Sequence, residues 1–282
     1  MEAKIIDGKA ISNRIRESIK QKVEELKNKG GPTPELDVIL VGDDPASEVY
    51  VRHKERAFRQ AGMNSNVIRM DADTHQDAVL EQIERLNNDK NVHGILVQLP
   101  LPPQIDPRLI INAIDPKKDV DGFHPVNAGR LMTGQDCLEP CTPKGIIRLI
   151  QETGEQIYGK YAVVIGRSNI VGKPISLMLL QNDATVTICH SKTSGLEDIC
   201  RRADILVVAI GKPNFVDNRF VKNGAIVIDV GINRVNNKLI GDVNFQEVKQ
   251  KAGWITPVPG GVGPMTITML LENTLQAAMR NE

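Results

Sequence analysis

Ser47, Tyr50 and Lys54 carry three reactive side chains at spacings of three and four. On a helix those spacings place all three on one face. A lysine held beside a tyrosine and a serine is partly withdrawn from water, which favours the neutral amine that proton transfer needs. Arg52, Glu55 and Arg56 share the segment, so a solvated, charged helix face is the competing reading. A second stretch, Val97-Gln98-Leu99-Pro100-Leu101-Pro102, offers Gln98 as a hydrogen-bond partner for a buried amine. A third, Asp121-Gly122-Phe123-His124, offers a carboxylate that can accept two parallel hydrogen bonds from an amidine-like heterocycle edge. X-Pro runs and Asp-Gly pairs are also ordinary turn formers.

A different chemistry is written at Val163-Val164-Ile165-Gly166-Arg167-Ser168, followed by Gly172-Lys173-Pro174. A strand ends in glycine, a short loop follows, and a helix opens. Free N–H groups and the helix dipole at such a start suit a pyrophosphate. The spacing is G-x5-G rather than G-x-G-x-x-G, so taken alone it is also an ordinary strand-to-helix turn. The end of the next strand adds weight. NAD sites hold the ribose 2′-hydroxyl with an acid about 20 residues on, whereas this chain has His190-Ser191-Lys192 there. Arg167, Ser168, Ser191 and Lys192 suit a 2′-phosphate, which a carboxylate would repel, so the segment reads as an NADP site. A fourth stretch, Thr256 to Thr266, holds three glycines among Pro257, Pro259 and Pro264. It is expected to be a rigid, irregular loop approaching something closely, or else a linker between domains.

These residues need elements to position them. Apolar residues at Ile11, Ile15, Ile19, Val23 and Leu26 predict a helix over 10–29. A strand over 36–41, a helix over 47–60, a strand over 67–70, a helix over 75–87 and a strand over 94–98 follow. The stretch 99–141 is rich in Pro, Asp and Gly and is expected to be irregular; Thr142-Pro143 is expected to cap and open the next helix. Strands are then expected over 162–165, 185–189, 205–209 and 225–230, with helices near 174–181, 196–203 and 245–251 and a terminal helix over 265–279. Alternating strands and helices imply parallel sheets with right-handed crossovers.

Composition limits the function. The 282 residues carry 35 basic and 35 acidic side chains, so no electrostatic footprint for a nucleic-acid backbone or an anionic membrane is expected. Aromatic residues make up only 3%, which leaves Ile, Val, Leu and Ala to build the core, as in strands buried on both faces. Cys137, Cys141, Cys189 and Cys200 form no C-x-x-C pair, and the five histidines are scattered. No metal site and no disulfide framework is expected, and reduced thiols in the cytoplasm are.

Taken together, the segments resemble the bifunctional methylenetetrahydrofolate dehydrogenase / methenyltetrahydrofolate cyclohydrolase family. The matching stretches run Val41 to Lys54, Gly94 to Pro102, Lys118 to His124, Pro140 to Pro143, Val164 to Ser168, Ile228 to Asn233 and Ile255 to Thr266. The resemblance spans essentially the whole chain. It implies two α/β domains flanking a cleft: a folate-binding domain over 1–139, completed by the C-terminal helix (about 264–282), and a Rossmann-like NADP-binding domain over 140–263. It implies a cytoplasmic homodimer in one-carbon metabolism, serving purine and amino-acid biosynthesis. The activities implied are NADP-dependent oxidation of 5,10-methylenetetrahydrofolate and hydrolysis of the methenyl product to 10-formyltetrahydrofolate in one shared site. By matching position, Lys54 handles protons with Gln98 as partner, near Ser47. Tyr50 stacks on the folate, Asp121 holds its pterin edge, and Val97, Leu99 and Pro259, Gly260, Gly261, Val262 and Gly263 lie against bound substrate. Gly166, Arg167, Ser168, Ser191 and Ile232 line the NADP site. The rival functions are a dehydrogenase with a weak or absent cyclohydrolase, which loss of the Lys54/Gln98 pair would signal, and a folate- or nucleotide-binding module without catalysis.

Overall fold

The computed structural model describes residues 2–236 and 238–280. Along the chain come β1 (Lys4–Ile5), α1 (Gly8–Asn28), β2 (Glu35–Val41), α2 (Pro45–Gln60), β3 (Asn64–Met70), α3 (Gln76–Asn88), β4 (Gly94–Val97), α4 (Pro107–Ala113), α5 (Pro125–Met132) and α6 (Cys141–Gln151). There follow β5 (Tyr161–Ile165), α7 (Gly172–Gln181), β6 (Thr185–Cys189), α8 (Leu196–Cys200), β7 (Ile205–Val208), β8 (Ile226–Asp229), β9 (Asn233–Val235), β10 (Lys238–Ile240), α9 (Phe245–Val248), β11 (Trp254–Ile255) and α10 (Val262–Arg280).

The chain divides into two compact units. One comprises Arg14–Cys141 and the chain from Ile267. Its sheet has three parallel strands in the order β3-β2-β4. Ile39, Val41, Ile95 and Val97 from the sheet pack with Val79 and Ile83 of α3 and Ile110 of α4. The other comprises the residues up to Asn13 and Thr142–Thr266. Its sheet orders six parallel strands β1-β11-β8-β7-β5-β6. Val163, Ile165, Leu206, Val208 and Val227 sit at the centre of its core. Strands buried on both faces explain the continuous aliphatic runs.

The division departs from the sequence reading at the N-terminus. Residues before Arg14 group with Thr142–Thr266, because β1 pairs with β11 in the register Lys4↔Trp254 and Ile5↔Ile255. A two-residue strand has no periodicity to read. The stretch 99–141 is also more regular than expected: it holds α4 and α5, both short, both opened by a proline. Asp106 caps the first by accepting from the Arg108 N–H at 2.8 Å. His124 caps the second through Nδ1, which accepts from the Val126 N–H at 3.0 Å. Helix α6 begins at Cys141, so Thr142 lies inside it rather than capping it. Val262-Gly263-Pro264, read as loop, are the first turn of α10, where proline is tolerated because its missing N–H has no intrahelical partner.

A buried lysine ties the end of α3 to the strand-β4 side of its unit. Lys118 Nζ donates to the carbonyls of Leu86, Asn87 and Asp89 at 2.8, 2.8 and 2.7 Å, and its N–H and C=O flank the loop that pairs Ile95 with Asp119. Cations at a helix C-terminus satisfy carbonyls that the helix leaves open. Lys118→Met keeps the apolar stem and removes the ammonium. Chemical denaturation is expected to show a loss of about 1.5–3 kcal/mol, the range for charge-assisted hydrogen bonds; an unchanged midpoint would remove the lysine from the stabilising network.

Candidate active site

Helix α2 sits just after β2 because Asp44 caps it: the carboxylate accepts from the Ser47 N–H at 2.8 Å, and Pro45 opens the first turn. That start fixes which residues of the helix face inward. Ser47 is buried, Lys54 is only 9% exposed, and Tyr50 is 42% exposed. The charged-surface reading of this helix therefore fails for Lys54 and holds for its neighbours Arg52 and Arg56.

Lys54 Nζ donates to Gln98 Oε1 at 3.0 Å. Gln98 follows β4, anchored by its own N–H to the Ile39 carbonyl at 2.9 Å, at the carboxyl end of the sheet where open α/β folds bind ligands. Its Nε2 donates to the Leu99 carbonyl at 2.7 Å, which fixes the amide so that oxygen faces the lysine. An oxygen there accepts an N–H and leaves the lone pair of a neutral amine free. Burial pushes the Lys54 amine below the ordinary lysine value, while the charges of Asp121 and Cys141 act against that fall. Burial likewise pushes the Asp121 carboxyl above the usual carboxylate range, with the Lys54 charge pulling it back.

The Asp121 turn is braced from below. Asp119 accepts from the Phe123 N–H at 3.1 Å, the His124 N–H at 2.8 Å and Asn127 Nδ2 at 2.8 Å. Asn273 of α10 donates to the carbonyls of Val120 and Glu139, both at 2.8 Å. The Cys141 thiol donates to the Val120 carbonyl at 3.2 Å and its sulfur accepts from Asn273 Nδ2 at 3.6 Å. Sequence reasoning left Cys141 without a role, although it lay within the quoted stretch Pro140 to Pro143. Asn273 and Asp119 were not singled out, since a helix asparagine and a second aspartate in a turn carry no spacing signal.

In the other unit, Gly166 directly follows β5, the strand paired between β6 and β7. Its N–H donates to the Cys189 carbonyl at 2.9 Å, and the Ala209 N–H donates to the Ile165 carbonyl at 2.8 Å. Neighbours on opposite sides of β5 connect in opposite directions, which makes this a topological switch point. Gly166 has φ +130°, and a Cβ there would lie 2.3 Å from the Ala209 carbonyl oxygen. Ser168 Oγ accepts from the N–H groups of Val171 and Gly172 at 3.1 and 3.2 Å, ordering the loop into α7 and leaving its own O–H to donate. After β6, the His190 N–H donates to Thr193 Oγ1 at 2.9 Å, and the Lys192 N–H to His190 Nδ1 at 3.1 Å. This turn presents Ser191 and Lys192 to solvent, and Arg167 is likewise exposed. Ile232, 49% exposed, follows β8 and lies close to Gly263. In the loop before α10 the Gly260 carbonyl accepts from the Lys9 N–H at 3.0 Å, so the segment 259–261 packs on the start of α1. A switch-point glycine that admits no side chain, a ten-residue helix starting beyond it and cationic and hydroxyl donors where an acid would stand fit a dinucleotide with a 2′-phosphate.

The structure thus gathers Lys54, Gln98 and Asp121 around one buried amine, with Ser47 at the helix start, Val97 and Leu99 flanking Gln98, and Tyr50 exposed on the same helix. Gly166, Arg167, Ser168, Ser191, Ile232 and Pro259–Gly263 belong to the second unit. Among the described residues, no group of three or more His, Cys, Asp or Glu side chains is placed to hold a metal ion.

A Rossmann-type sheet with a switch-point glycine, together with a unit that buries a lysine at the ligand end of its own sheet, defines an NAD(P)-dependent enzyme of the α/β class. Residues 6–121 match the tetrahydrofolate dehydrogenase/cyclohydrolase catalytic domain, and residues 140–282 match the NAD(P)-binding domain of the same family. The chain belongs to the tetrahydrofolate dehydrogenase/cyclohydrolase family. It is 58% identical over 277 residues to the bifunctional protein FolD of Streptococcus equi, covering 98% of each chain. The FolD of Halalkalibacterium halodurans is 55% identical over 278 residues, covering 99% of each. Among solved structures, the bifunctional FolD of Campylobacter jejuni superposes with a TM-score of 0.97 at 49% identity, covering 99% of this chain and 100% of that one. The Trypanosoma brucei enzyme, complexed with NADP cofactor and inhibitor, superposes at 0.95 and 39% identity, covering 99% and 98%.

Gly166→Ala forces the strained φ on a residue with a side chain and drives that side chain into the Ala209 carbonyl. NADP affinity, measured by fluorescence titration, is expected to fall by about tenfold or more, with a lowered melting temperature. Wild-type values for both would contradict the placing of the phosphate loop.

Proposed function

We propose that this protein oxidises 5,10-methylenetetrahydrofolate with NADP and hydrolyses the methenyl product to 10-formyltetrahydrofolate, and that Lys54 handles the protons of the second reaction. The buried Lys54–Gln98 pair, with Asp121 beside it, is the observation that carries this reading.

Bound NADP supplies the hydride acceptor, and Gly166, Arg167, Ser168, Ser191 and Ile232 would hold it. The chain's task in oxidation is alignment, since hydride transfer needs two rings held face to face. Asp121 would hold the pterin edge through its amino and ring N–H groups, a pairing that one carboxylate can accept from. Tyr50, exposed and on the same helix, would stack on the folate. The product carries a cationic methenyl carbon between two nitrogens, which a water can attack directly.

In hydrolysis the water oxygen bonds to the methenyl carbon and one of its protons passes to the neutral Lys54 amine. Cleavage of one C–N bond then leaves the formyl group on the other nitrogen. The departing nitrogen takes the proton from Lys54, and the hydroxyl proton goes to solvent as the formyl C=O forms. The lysine ends as it began. A base held below the ordinary lysine value suits both transfers. Gln98 keeps the amine aimed without protonating it, and the same bound folate serves both steps.

Family resemblance further supports a homodimer, and a cytoplasmic enzyme supplying one-carbon units to purine and amino-acid synthesis. The cytoplasmic reading also draws on four buried cysteines, none of them in a disulfide. Among the described residues no helix is long and apolar enough to cross a membrane.

Lys54→Met is expected to abolish enzymatic decay of the methenyl chromophore while NADP binding and thermal stability persist. Near-normal decay above the uncatalysed rate would remove Lys54 from the mechanism. Arg167→Ala is expected to weaken NADP by roughly tenfold to a hundredfold and NAD far less, because a charge-assisted phosphate contact is worth about 1.5–3 kcal/mol. Equal losses for the two cofactors in a titration would refute the 2′-phosphate assignment.

A further inference from the structure

We propose that Asp242 is a positioning residue for the nicotinamide-nucleotide site: its buried carboxylate fills a backbone anion nest after β7 and clamps that loop to the one after β8. The inference rests on the NADP reading of this unit and extends it to a residue outside the phosphate loop.

The geometry is unusual for an aspartate. Asp242 is fully buried. Oδ2 accepts from the N–H groups of Ile210 and Gly211 at 2.7 and 2.9 Å, and Oδ1 accepts from the Lys212 N–H at 2.8 Å. Three successive N–H groups converging on one point form an anion-binding nest, and Gly211 at φ +64° supplies the left-handed residue that such a turn requires. Oδ1 also accepts from Asn233 Nδ2 at 2.9 Å. The bonds therefore join the loop after β7 to Asn233, which opens β9 directly after Ile232 of the loop that follows β8.

Asp242 is itself fixed from behind. Asp229, at the end of β8, accepts from the N–H groups of Gly231 and Asp242 with one oxygen, both at 2.9 Å, and from the Val243 N–H with the other at 3.0 Å. The Asp242 carbonyl accepts from the Val216 N–H at 3.0 Å, where Val216 and Val243 form a parallel bridge. Two buried carboxylates are thus satisfied by N–H donors, and burial with the neighbouring Asp242 charge pushes Asp229 up to about 6.

Both tied loops leave the carboxyl ends of strands in the sheet that carries Gly166, the end where such sheets bind ligands. An unfilled nest beside a phosphate loop would be a second anion site. With an internal carboxylate in it, the N–H groups of 210–212 are spoken for, and cofactor phosphate is left to the Gly166 loop. The clamp also holds Ile232 in place without touching ligand itself.

Asp242→Asn tests this, because a carboxamide turns one acceptor into a donor facing N–H groups. Three readouts are taken on the full-length protein: NADP affinity by calorimetry, amide hydrogen exchange at 210–212 without nucleotide, and the two activities separately. NADP is expected to bind about tenfold more weakly. Exchange at 210–212 is expected to quicken by a similar factor. Cyclohydrolase activity, which consumes no nicotinamide, is expected to stay within about twofold of wild type, a limit set well inside the tenfold scale. If Asp242→Asn does not fold, Asn233→Ala, which removes one donor to the same oxygen, is expected to shift NADP affinity in the same direction by a smaller factor of about three. Unchanged NADP affinity in a folded variant overturns the proposal, as does parallel loss of both activities with a lowered melting temperature. Failure of the wild-type protein to bind NADP would instead overturn the reading on which the proposal rests.

Discussion

A lysine amine taken out of water is the constraint around which the folate unit is arranged. Left in solvent, the amine would stay protonated near neutral pH and could not act as a base. Inside a folded protein an unpaired charge is costly, so burial favours the neutral form. On the proposed role of Lys54 as a base, the unit must therefore bury it without handing it a full-strength counter-ion. It does so with a neutral partner, Gln98, bonded to Nζ at 3.0 Å and locked by its own bond to the Leu99 carbonyl. Asp121 does exert a charge on the amine, yet its own carboxyl is pushed up by the same burial. Much of the surrounding polar structure can be read as support for that balance. Asp119, Asn273 and Cys141 hold the Asp121 turn, and the Asp44 cap sets the rotation of α2.

The NAD(P)-binding unit solves a different problem: on the proposed assignment it brings backbone N–H groups close to an anion instead of shielding a cation. Gly166 admits no side chain at the sheet's switch point, and Ser168 orders the turn into α7. The buried acids Asp229 and Asp242 meet the remaining loop amides from within. Here internal carboxylates take the place that a ligand anion takes at a helix start, which is the same physics used to build rather than to bind.

Much of this was legible in the sequence, for reasons that differ by element. The central strands and long helices are periodic or continuously aliphatic, and their expected ranges agree with β2, β5, β6, α1 and α2 to within a few residues. Lys54 and Gln98 were readable because spacing and strand end together predict where they lie. The short pieces were not. β1, β11, α4 and α5 are too brief for a period to show, and α4 and α5 sit among prolines that suggest irregular chain. Val262-Gly263-Pro264 look like loop by composition and are helix because the first turn needs no N–H from proline. The braces escaped for a related cause: Asn273 donates to backbone carbonyls more than a hundred positions away, and Asp119, Asp229 and Asp242 accept mainly from backbone N–H groups, which every residue type but proline carries and which therefore leave no mark in the sequence.

The most direct test of the account is the titration of the Lys54 amine itself, followed by NMR in protein labelled at lysine Nζ, with Lys54→Met used to assign the signal. Burial predicts an apparent pKa below the ordinary lysine value in the wild-type protein. Because the Asp121 charge opposes that fall, Asp121→Asn is predicted to lower it further, and titration in the two proteins should therefore move apart. A Lys54 signal that titrates at or above the ordinary lysine value, unmoved by Asp121→Asn, would contradict the claim that desolvation supplies this enzyme with its base.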